Sequence, residues 1–513
     1  MKTDALRRRR SSWNCLLLIL ATVFVTCVPV LASDYGYADD FWFLSMRPLN
    51  NETISNTVHH FNAEGRALFS IWALGVMGQA DGIQGLRLAR FLALFGIFFS
   101  SVVFYKLIRR HLAEDRLDAA LAACIFSINP SFLIMAGWAQ AGSDAYACFM
   151  GLLSSHLLLG DERFDAPSAK KDAADGNRTS AGSGLERLIL SSVLLFASLS
   201  LYQPAAMLYW TGAAIWIIGR FAAQREDWVK LARIGALFVI VLGAYLLFVS
   251  AFADPNSRFH ASLSLVRRMG WFVLYPLQNA LCYPSLEPFP LWSIAALLIL
   301  SLGIWLYCRQ TARTMWIPPL VLSFTPLTML PTMFAYSHYD VSRTRTALYA
   351  LIIVLWCITF KAVSRFLNDS FKPRHILIPV LILLIVSSQY QLQRYFITPQ
   401  LWEEAALLVK LQEYVHENPK LDRLIVIWPP PTYPPITEFE GVDEFGFASL
   451  SRPAASTPEI KVFLAGITNQ KYEDLPNIKI ETIYTTSQLL DQHIEIPSPD
   501  AFYIDFRQLR SPR

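Results

Sequence analysis

Apolar runs of about 20 residues recur along this chain from Trp13 to Tyr390, and a helix of that length crosses a hydrocarbon core of about 30 Å. Inside such a core no water can satisfy backbone N–H and C=O groups, so runs of this kind fold as helices that bond internally. Charged residues make up only 16% of the 513 residues and hydrophobic ones 54%, whereas a soluble domain carries about 25% charge. These proportions exclude soluble, disordered, collagenous and disulfide-scaffold classes. The expected class is an α-helical polytopic membrane protein.

About eleven spans are expected by length and hydropathy. They are Trp13–Ala32, Leu88–Leu107, Leu117–Met135, Ala145–Leu159, Leu188–Leu201, Pro204–Gly219, Ile234–Ala253, Leu291–Cys308, Trp316–Tyr336, Ala347–Phe360 and Ile376–Tyr390. Asn129-Pro130 breaks the third, and only Tyr202-Gln203 separates the fifth from the sixth. Arg7–Arg10 precede the first span, which puts the N-terminus in the cytoplasm by the positive-inside rule. Lys106/Arg109/Arg110/Arg116, Arg220/Arg225/Lys230/Arg233, Arg309/Arg313 and Lys361/Arg365/Lys372/Arg374 fall on the same side. An odd number of spans then leaves the C-terminus outside. A cleaved signal peptide ending near Val30-Leu31-Ala32 is the alternative for the first run, but the apolar stretch exceeds the usual signal core of about 7–15 residues.

Two units follow: a membrane part over residues 1–395, with a first outer loop at 33–87, and a small extracytoplasmic α/β domain over 396–513. In the tail Trp402–His416 and Glu459–Ala465 have helical periodicity, while Arg423–Trp428, Ile478–Tyr484 and Ala501–Asp505 read as strands around Pro429-Pro430-Pro431. The segment Asp161–Glu186, rich in Asp, Ala, Ser and Gly, reads as a disordered linker. Its sequon Asn177-Arg178-Thr179 is on the cytoplasmic side, and Asn51-Glu52-Thr53 is on the other. The seven cysteines form no C-x-x-C and sit mostly within apolar runs, so neither a disulfide nor a metal site is expected of them.

The spans are almost free of Asp, Glu, Lys and Arg. Ion-coupled pumps need titratable groups at membrane depth, so chemistry is expected at the outer face instead. Asp39-Asp40 follows the first span directly. Adjacent carboxylates repel, and partial burial raises one toward the range useful for a general base; the bland reading is a solvated interface. His59-His60 has no carboxylate at zinc-like helical spacing and reads as solvated or hydrogen-bonded imidazoles. A divalent cation, Mg²⁺ or Mn²⁺, held by Asp39, Asp40 and a phosphate is compatible with the pattern. Arg66, Asp144, Tyr202 and Gln203 lie in other outer segments. Arg343 and Arg345, at the start of the tenth span, are suited to clamping a phosphate, as are Arg267 and Arg268 in a stretch Val266–Leu274 with amphipathic spacing. Headgroup contact is the plainer reading of all four.

A first helix followed by an outer loop with Asp39-Asp40, many spans and a C-terminal outer domain resembles the GT-C class of membrane glycosyltransferases. Tyr37-Ala38-Asp39-Asp40, Gly65-Arg66 and Tyr202-Gln203-Pro204 are similar to bacterial serotype-converting O-antigen glucosyltransferases. The resemblance covers roughly residues 10–395. It implies transfer of a hexose, glucose in that subfamily, from a polyprenyl-phosphate donor to a glycan or lipopolysaccharide acceptor at the outer face of the bacterial inner membrane. It also implies that Asp39 or Asp40 acts on the acceptor, that Arg343 or Arg345 receives the released phosphate, and that the anomeric configuration inverts. Many class members carry Asp-Glu where this chain has Asp39-Asp40, and the first carboxylate is usually the base, which favours Asp39. Rival readings are a flippase or transporter for lipid-linked sugars, a polysaccharide polymerase or ligase using Arg258, Arg267 and Arg268, and a structural membrane protein.

Overall fold

The computed structural model describes residues 2–45, 49–113, 115–160, 180–252, 265–282, 290–311, 315–334, 341–367, 372–417, 423–427, 453–468, 479–483 and 502–505. Helices dominate. The first group is α1 (Lys2–Ala32), α2 (Asp40–Ser45), α3 (Asn51–Ala63), α4 (Phe69–Gly75), α5 (Gly82–His111), α6 (Arg116–Ser127), α7 (Pro130–Gly137) and α8 (Gly142–Leu159). Next come α9 (Ser180–Leu201), α10 (Gln203–Ala206), α11 (Leu208–Arg220), α12 (Arg225–Phe252), α13 (Leu265–Phe272), α14 (Gln278–Cys282) and α15 (Pro290–Gln310). The remainder are α16 (Ile317–Leu327), α17 (Leu330–Phe334), α18 (Thr346–Phe366), α19 (Arg374–Gln391), α20 (Thr398–Glu417) and α21 (Pro453–Thr468).

Seven of the described helical segments are long and apolar enough to cross a membrane: Ser12–Ala32, Gly82–His111, Gly184–Leu201, Arg225–Phe252, Leu291–Gln310, Ser342–Phe366 and Arg374–Glu417. The chain is a helical membrane protein of polytopic type. The pair α6–α7, bent by 55°, makes an eighth if taken as one span. Eleven were expected, and the shortfall has a physical cause. The expected span Pro204–Gly219 falls on α10 and α11, and the 13 residues of α11 reach only about 20 Å. Prolines 318, 319 and 326 shorten α16 within the expected Trp316–Tyr336. Ala145–Leu159 lies in α8, where Ser143, Asp144, Ser154, Ser155 and His156 dilute the apolar content.

The bend between α6 and α7 is built locally. Pro130 supplies no N–H, and Asn129 caps the new helix by accepting from Phe132 N at 3.2 Å while donating to Phe126 O at 2.7 Å. Every residue of α11 from Leu208 to Gly219 is buried, so this short helix is core, enclosed by its longer neighbours. On α1 the buried residues Cys15, Ile19, Val23, Cys27 and Val30 recur at helical spacing and form one packed face.

The tail elements expected from the sequence appear as α20, α21 and three parallel strands, β1 (Arg423–Ile427), β2 (Lys479–Ile483) and β3 (Phe502–Asp505), ordered β2-β1-β3. Arg423 pairs with Lys479 and Leu424 with Phe502. Leu407, Leu411 and Tyr414 of α20, Leu424 and Val426 of β1, and Ile460 and Leu464 of α21 form their shared core. The π-helical turn Leu392–Ile397 joins α19 to α20 with no loop between them. The expected linker is partly overturned, because α9 begins at Ser180, before Glu186. Residues 161–179, Arg258, 338–340 and 429–431 lie outside the described residues. Six cysteines, at 15, 27, 124, 148, 308 and 357, carry free thiols.

Candidate active site

The loop after α1 makes a tight turn whose two carboxylates face different ways. Ala38 is buried and adopts a left-handed φ of 47°, an unfavourable conformation for a residue with a Cβ. Gly36 is needed beside it, since a Cβ there would overlap the Phe41 ring. The turn closes by Asp40 N donating to Tyr37 O at 3.0 Å and Tyr37 N donating back to Asp40 Oδ2 at 3.2 Å. Asp40 is fully buried. Its Oδ1 accepts from Gln140 N at 2.9 Å, and Arg90 Nη2 stands 4.0 Å from Oδ2. Burial pushes its carboxyl up to about 7, with Arg90 and the two backbone N–H groups opposing the rise. Asp39 is only half-buried, and among the described residues its carboxylate has no hydrogen-bond or ion-pair partner.

Arg90 of α5 is the brace of this turn. It is fully buried, donates to Ser33 O at 3.4 Å and to Tyr35 O, and lies 3.7 Å over the Tyr35 ring. Arg87 on the preceding turn pairs with Asp34 at 2.5 Å. Glu404 of α20 accepts the Gly36 N–H at 2.6 Å. Sequence reasoning passed over Arg90 and Glu404. A lone arginine in an otherwise apolar span was the available signal; nothing local to Glu404 pointed to the first loop.

A second group gathers around Tyr202. Arg66 donates from Nε to Leu201 O at 3.1 Å and from Nη2 to Asp144 Oδ1 at 3.3 Å. Its guanidinium lies 4.1 Å over Phe69 and 5.4 Å from the Tyr202 ring. Arg343 approaches the same Tyr202 ring at 5.7 Å and lies 4.4 Å over Trp138. Asp144 is fully buried, takes a further bond from Ser143 Oγ at 3.3 Å, and keeps Oδ2 without a donor among the described residues. Arg343 sits in the 3₁₀ turn Ser342–Arg345, which Ser131 of α7 anchors by donating to Ser342 O at 2.5 Å.

The aromatic residues join the two groups. Tyr37, two residues before Asp39, packs edge-on to Trp138 at 5.1 Å and stacks on Phe396 at 4.7 Å. Trp138 therefore touches both the carboxylate turn and Arg343. Gln203 supports the far side, donating to Gly65 O at 3.3 Å and to the Tyr245 hydroxyl at 2.6 Å, while Tyr245 donates to Gly65 O at 2.9 Å.

The fold thus links Asp40, Arg66, Asp144, Tyr202, Gln203 and Arg343 through shared contacts, with Asp39 beside Asp40 on the same turn. The other expected arginines go elsewhere. Arg345 is buried and donates to the Tyr349 hydroxyl at 3.3 Å; Tyr349 belongs to an apolar cluster with Trp271 and Phe272 of α13. That helix carries Arg268, buried, and Arg267, exposed. The expected amphipathic stretch is therefore helical; Trp271 and Phe272 pack into this second cluster, while Val266, Met269, Val273 and Leu274 are exposed.

His59 and His60 are exposed on α3, with His60 Nε2 3.8 Å from Glu64. Among the described residues no three His, Cys, Asp or Glu side chains stand together as metal ligands. Asp40 already uses one oxygen for Tyr37 N and the other for Gln140 N, so the Asp39-Asp40 pair does not fit a shared cation site without losing the turn. Of the two, Asp39 alone has an open carboxylate among the described residues. No protein-family model matches the chain, and no curated protein matches it either.

Proposed function

We propose that this chain is an integral membrane glycosyltransferase that moves a hexose, glucose by the resemblance noted above, from a polyprenyl-phosphate donor to a glycan acceptor. The observation that carries the reading is the open Asp39 carboxylate on a braced turn, joined through Tyr37 and Trp138 to the Arg343 guanidinium. Asp39 takes the proton of an acceptor hydroxyl, whose oxygen forms a bond to the anomeric carbon. The bond from that carbon to the phosphate oxygen breaks, and polyprenyl phosphate leaves. One displacement at one carbon inverts its configuration. Negative charge growing on the departing phosphate meets Arg343, a planar donor suited to phosphate. The unused Asp144 Oδ2 beside Arg66 is a buried acceptor suited to a sugar hydroxyl.

The reaction face is outside, with the N-terminus cytoplasmic, α20–α21 and the strands on the periplasmic side of a bacterial inner membrane, and lipopolysaccharide one of the acceptors. A flippase would need charge free to move at membrane depth. Arg90 instead gives its guanidinium to loop carbonyls, which favours the transferase.

The test is release of polyprenyl phosphate by the purified chain in nanodiscs, supplied with a panel of polyprenyl-phosphate hexoses. Asp39→Asn is expected to lose about 10²–10⁴-fold in rate with its thermal midpoint unchanged. Asp40→Asn is expected to lose stability as well, because an amide cannot accept both N–H groups and one bond of about 1–3 kcal/mol is lost. Undiminished release by Asp39→Asn, or no release from any donor by the wild type, sinks the proposal.

A further inference from the structure

The C-terminal helices meet the first loop at a seat rich in acid. Phe463 of α21 packs on Phe41 of α2 with ring centroids 6.1 Å apart, and Glu404 of α20 holds the Gly36 N–H. Behind these contacts Glu459 of α21 is fully buried, and neither of its carboxyl oxygens has a hydrogen-bond partner among the described residues. The groups facing it from α20 are Glu403 and Glu404, both buried. The acid of α2, which packs on α21, is Asp40, and it is turned to Tyr37, Gln140 and Arg90. Asp81 lies across a cleft of about 440 Å³ between the start of α5 and α21. The strand β2, also packed on α21, carries Lys479 and Glu481.

An ionised carboxylate buried without a partner is strongly disfavoured, and here the charged groups that face it from α20 have the same sign. The contact therefore forms around a neutral Glu459. We propose that Glu459 is a proton-gated positioning residue: α20 and α21 seat on the loop that carries Asp39 while Glu459 is protonated, and lift from it when Glu459 ionises. Burial, reinforced by the Glu403 and Glu404 carboxylates, pushes the Glu459 carboxyl well above its usual range, which agrees with this sense. The sign follows from linkage. An undocked Glu titrates near about 4.3, and docking raises that value. Docking is thus at full strength below about pH 4.3 and weakens tenfold per pH unit above it, until the docked value is passed. The seating itself does not depend on the transferase reading; its consequence for sugar transfer does.

The test places nitroxide labels on the full chain in nanodiscs at Ser55→Cys, on an exposed position of α3, and at Gly466→Cys. A Cβ at Gly466 meets nothing within 4 Å. A parent without the two new cysteines controls for labelling of the native ones. Pulsed EPR from pH 5 to 10 is expected to give one short distance at low pH and a growing longer population as pH rises. Glu459→Gln, neutral at every pH, is expected to keep the short distance, with a closed-to-open ratio at least tenfold above wild type at pH 10. A wild-type distance that does not change over the range overturns the proposal, as does Glu459→Gln opening in step with wild type. If the Gln variant fails to fold, Glu459→Met provides the same comparison. Polyprenyl-phosphate release is measured on the same samples. A chain that opens with pH but releases none keeps the clamp and loses the transferase; one that transfers but never opens loses only the clamp.

Discussion

Replacing Arg90 by Met removes a guanidinium from a site with no solvent while keeping a stem of similar reach. The side chain donates to Ser33 O and Tyr35 O, covers the Tyr35 ring at 3.7 Å and stands 4.0 Å from Asp40. Hydrogen bonds from a charged donor contribute about 1.5–3 kcal/mol each, and the ring contact about 0.5–2 kcal/mol. Release of the buried charge offsets part of that sum, so the expected cost is about 3–5 kcal/mol, the range for removing one partner of a buried pair. At 1.36 kcal/mol per tenfold, opening of the loop becomes about 10²–10⁴ times more frequent. Hydrogen–deuterium exchange of the amides of residues 35–41 in nanodiscs reads this directly, because exchange reports local opening. The amides of α11, buried in the core, serve as the control for global unfolding. Arg90→Lys should fall between, since a point charge cannot reach both carbonyls in the same fork. Protection of residues 35–41 within tenfold of wild type in Arg90→Met would show that the loop is held by something other than this brace.

Arg343→Lys keeps the charge but loses the planar stack on Trp138 at 4.4 Å; kcat/KM for the lipid donor should fall at least about tenfold, with thermal stability unchanged, and an unaltered value would remove Arg343 from donor binding. Asp40, pushed up to about 7 by burial, adds a pH dependence of its own. Its contribution to loop stability is complete below the usual carboxylate value of about 3.9 and is lost as pH rises through about 7. Protection of residues 35–41 should decline from pH 4.5 to 8 in a Glu459→Gln background, and Asp40→Asn should flatten that decline; a slope equal in both chains would refute the assignment.

Much of the helical framework was legible because a membrane leaves the chain few options: the seven long spans fall where hydropathy puts them. The expected spans that fall short do so for separate reasons: α11 is short and its apolar residues face protein all round, prolines shorten α16, and polar residues dilute α8. The tail strands were legible from alternation and β-branching alone. At the site, residue type and position identified Asp39, Asp40, Arg66, Asp144, Tyr202, Gln203 and Arg343, since charge at the end of an apolar run is conspicuous. The same rule grouped Arg345, Arg267 and Arg268 with them, whereas a two-residue step along a 3₁₀ turn brings Arg345 to Tyr349 while Arg343 lies over Trp138. The difference between Asp39 and Asp40 could not be read from sequence. It depends on Ala38 taking a left-handed φ and on Gln140, 100 residues away.

The bond from Gly36 N to Glu404 joins positions 368 residues apart. At a synthesis rate of about 5–20 residues per second, the acceptor emerges roughly 20–75 s after its donor. Tyr37 likewise waits for Phe396. The turn that carries Asp39 is thus made well before the residues that complete its bracing. Any chain terminated before Glu404 would insert its early helices with that turn still unbraced on one side, so biosynthesis itself keeps the turn incomplete until α20 is made.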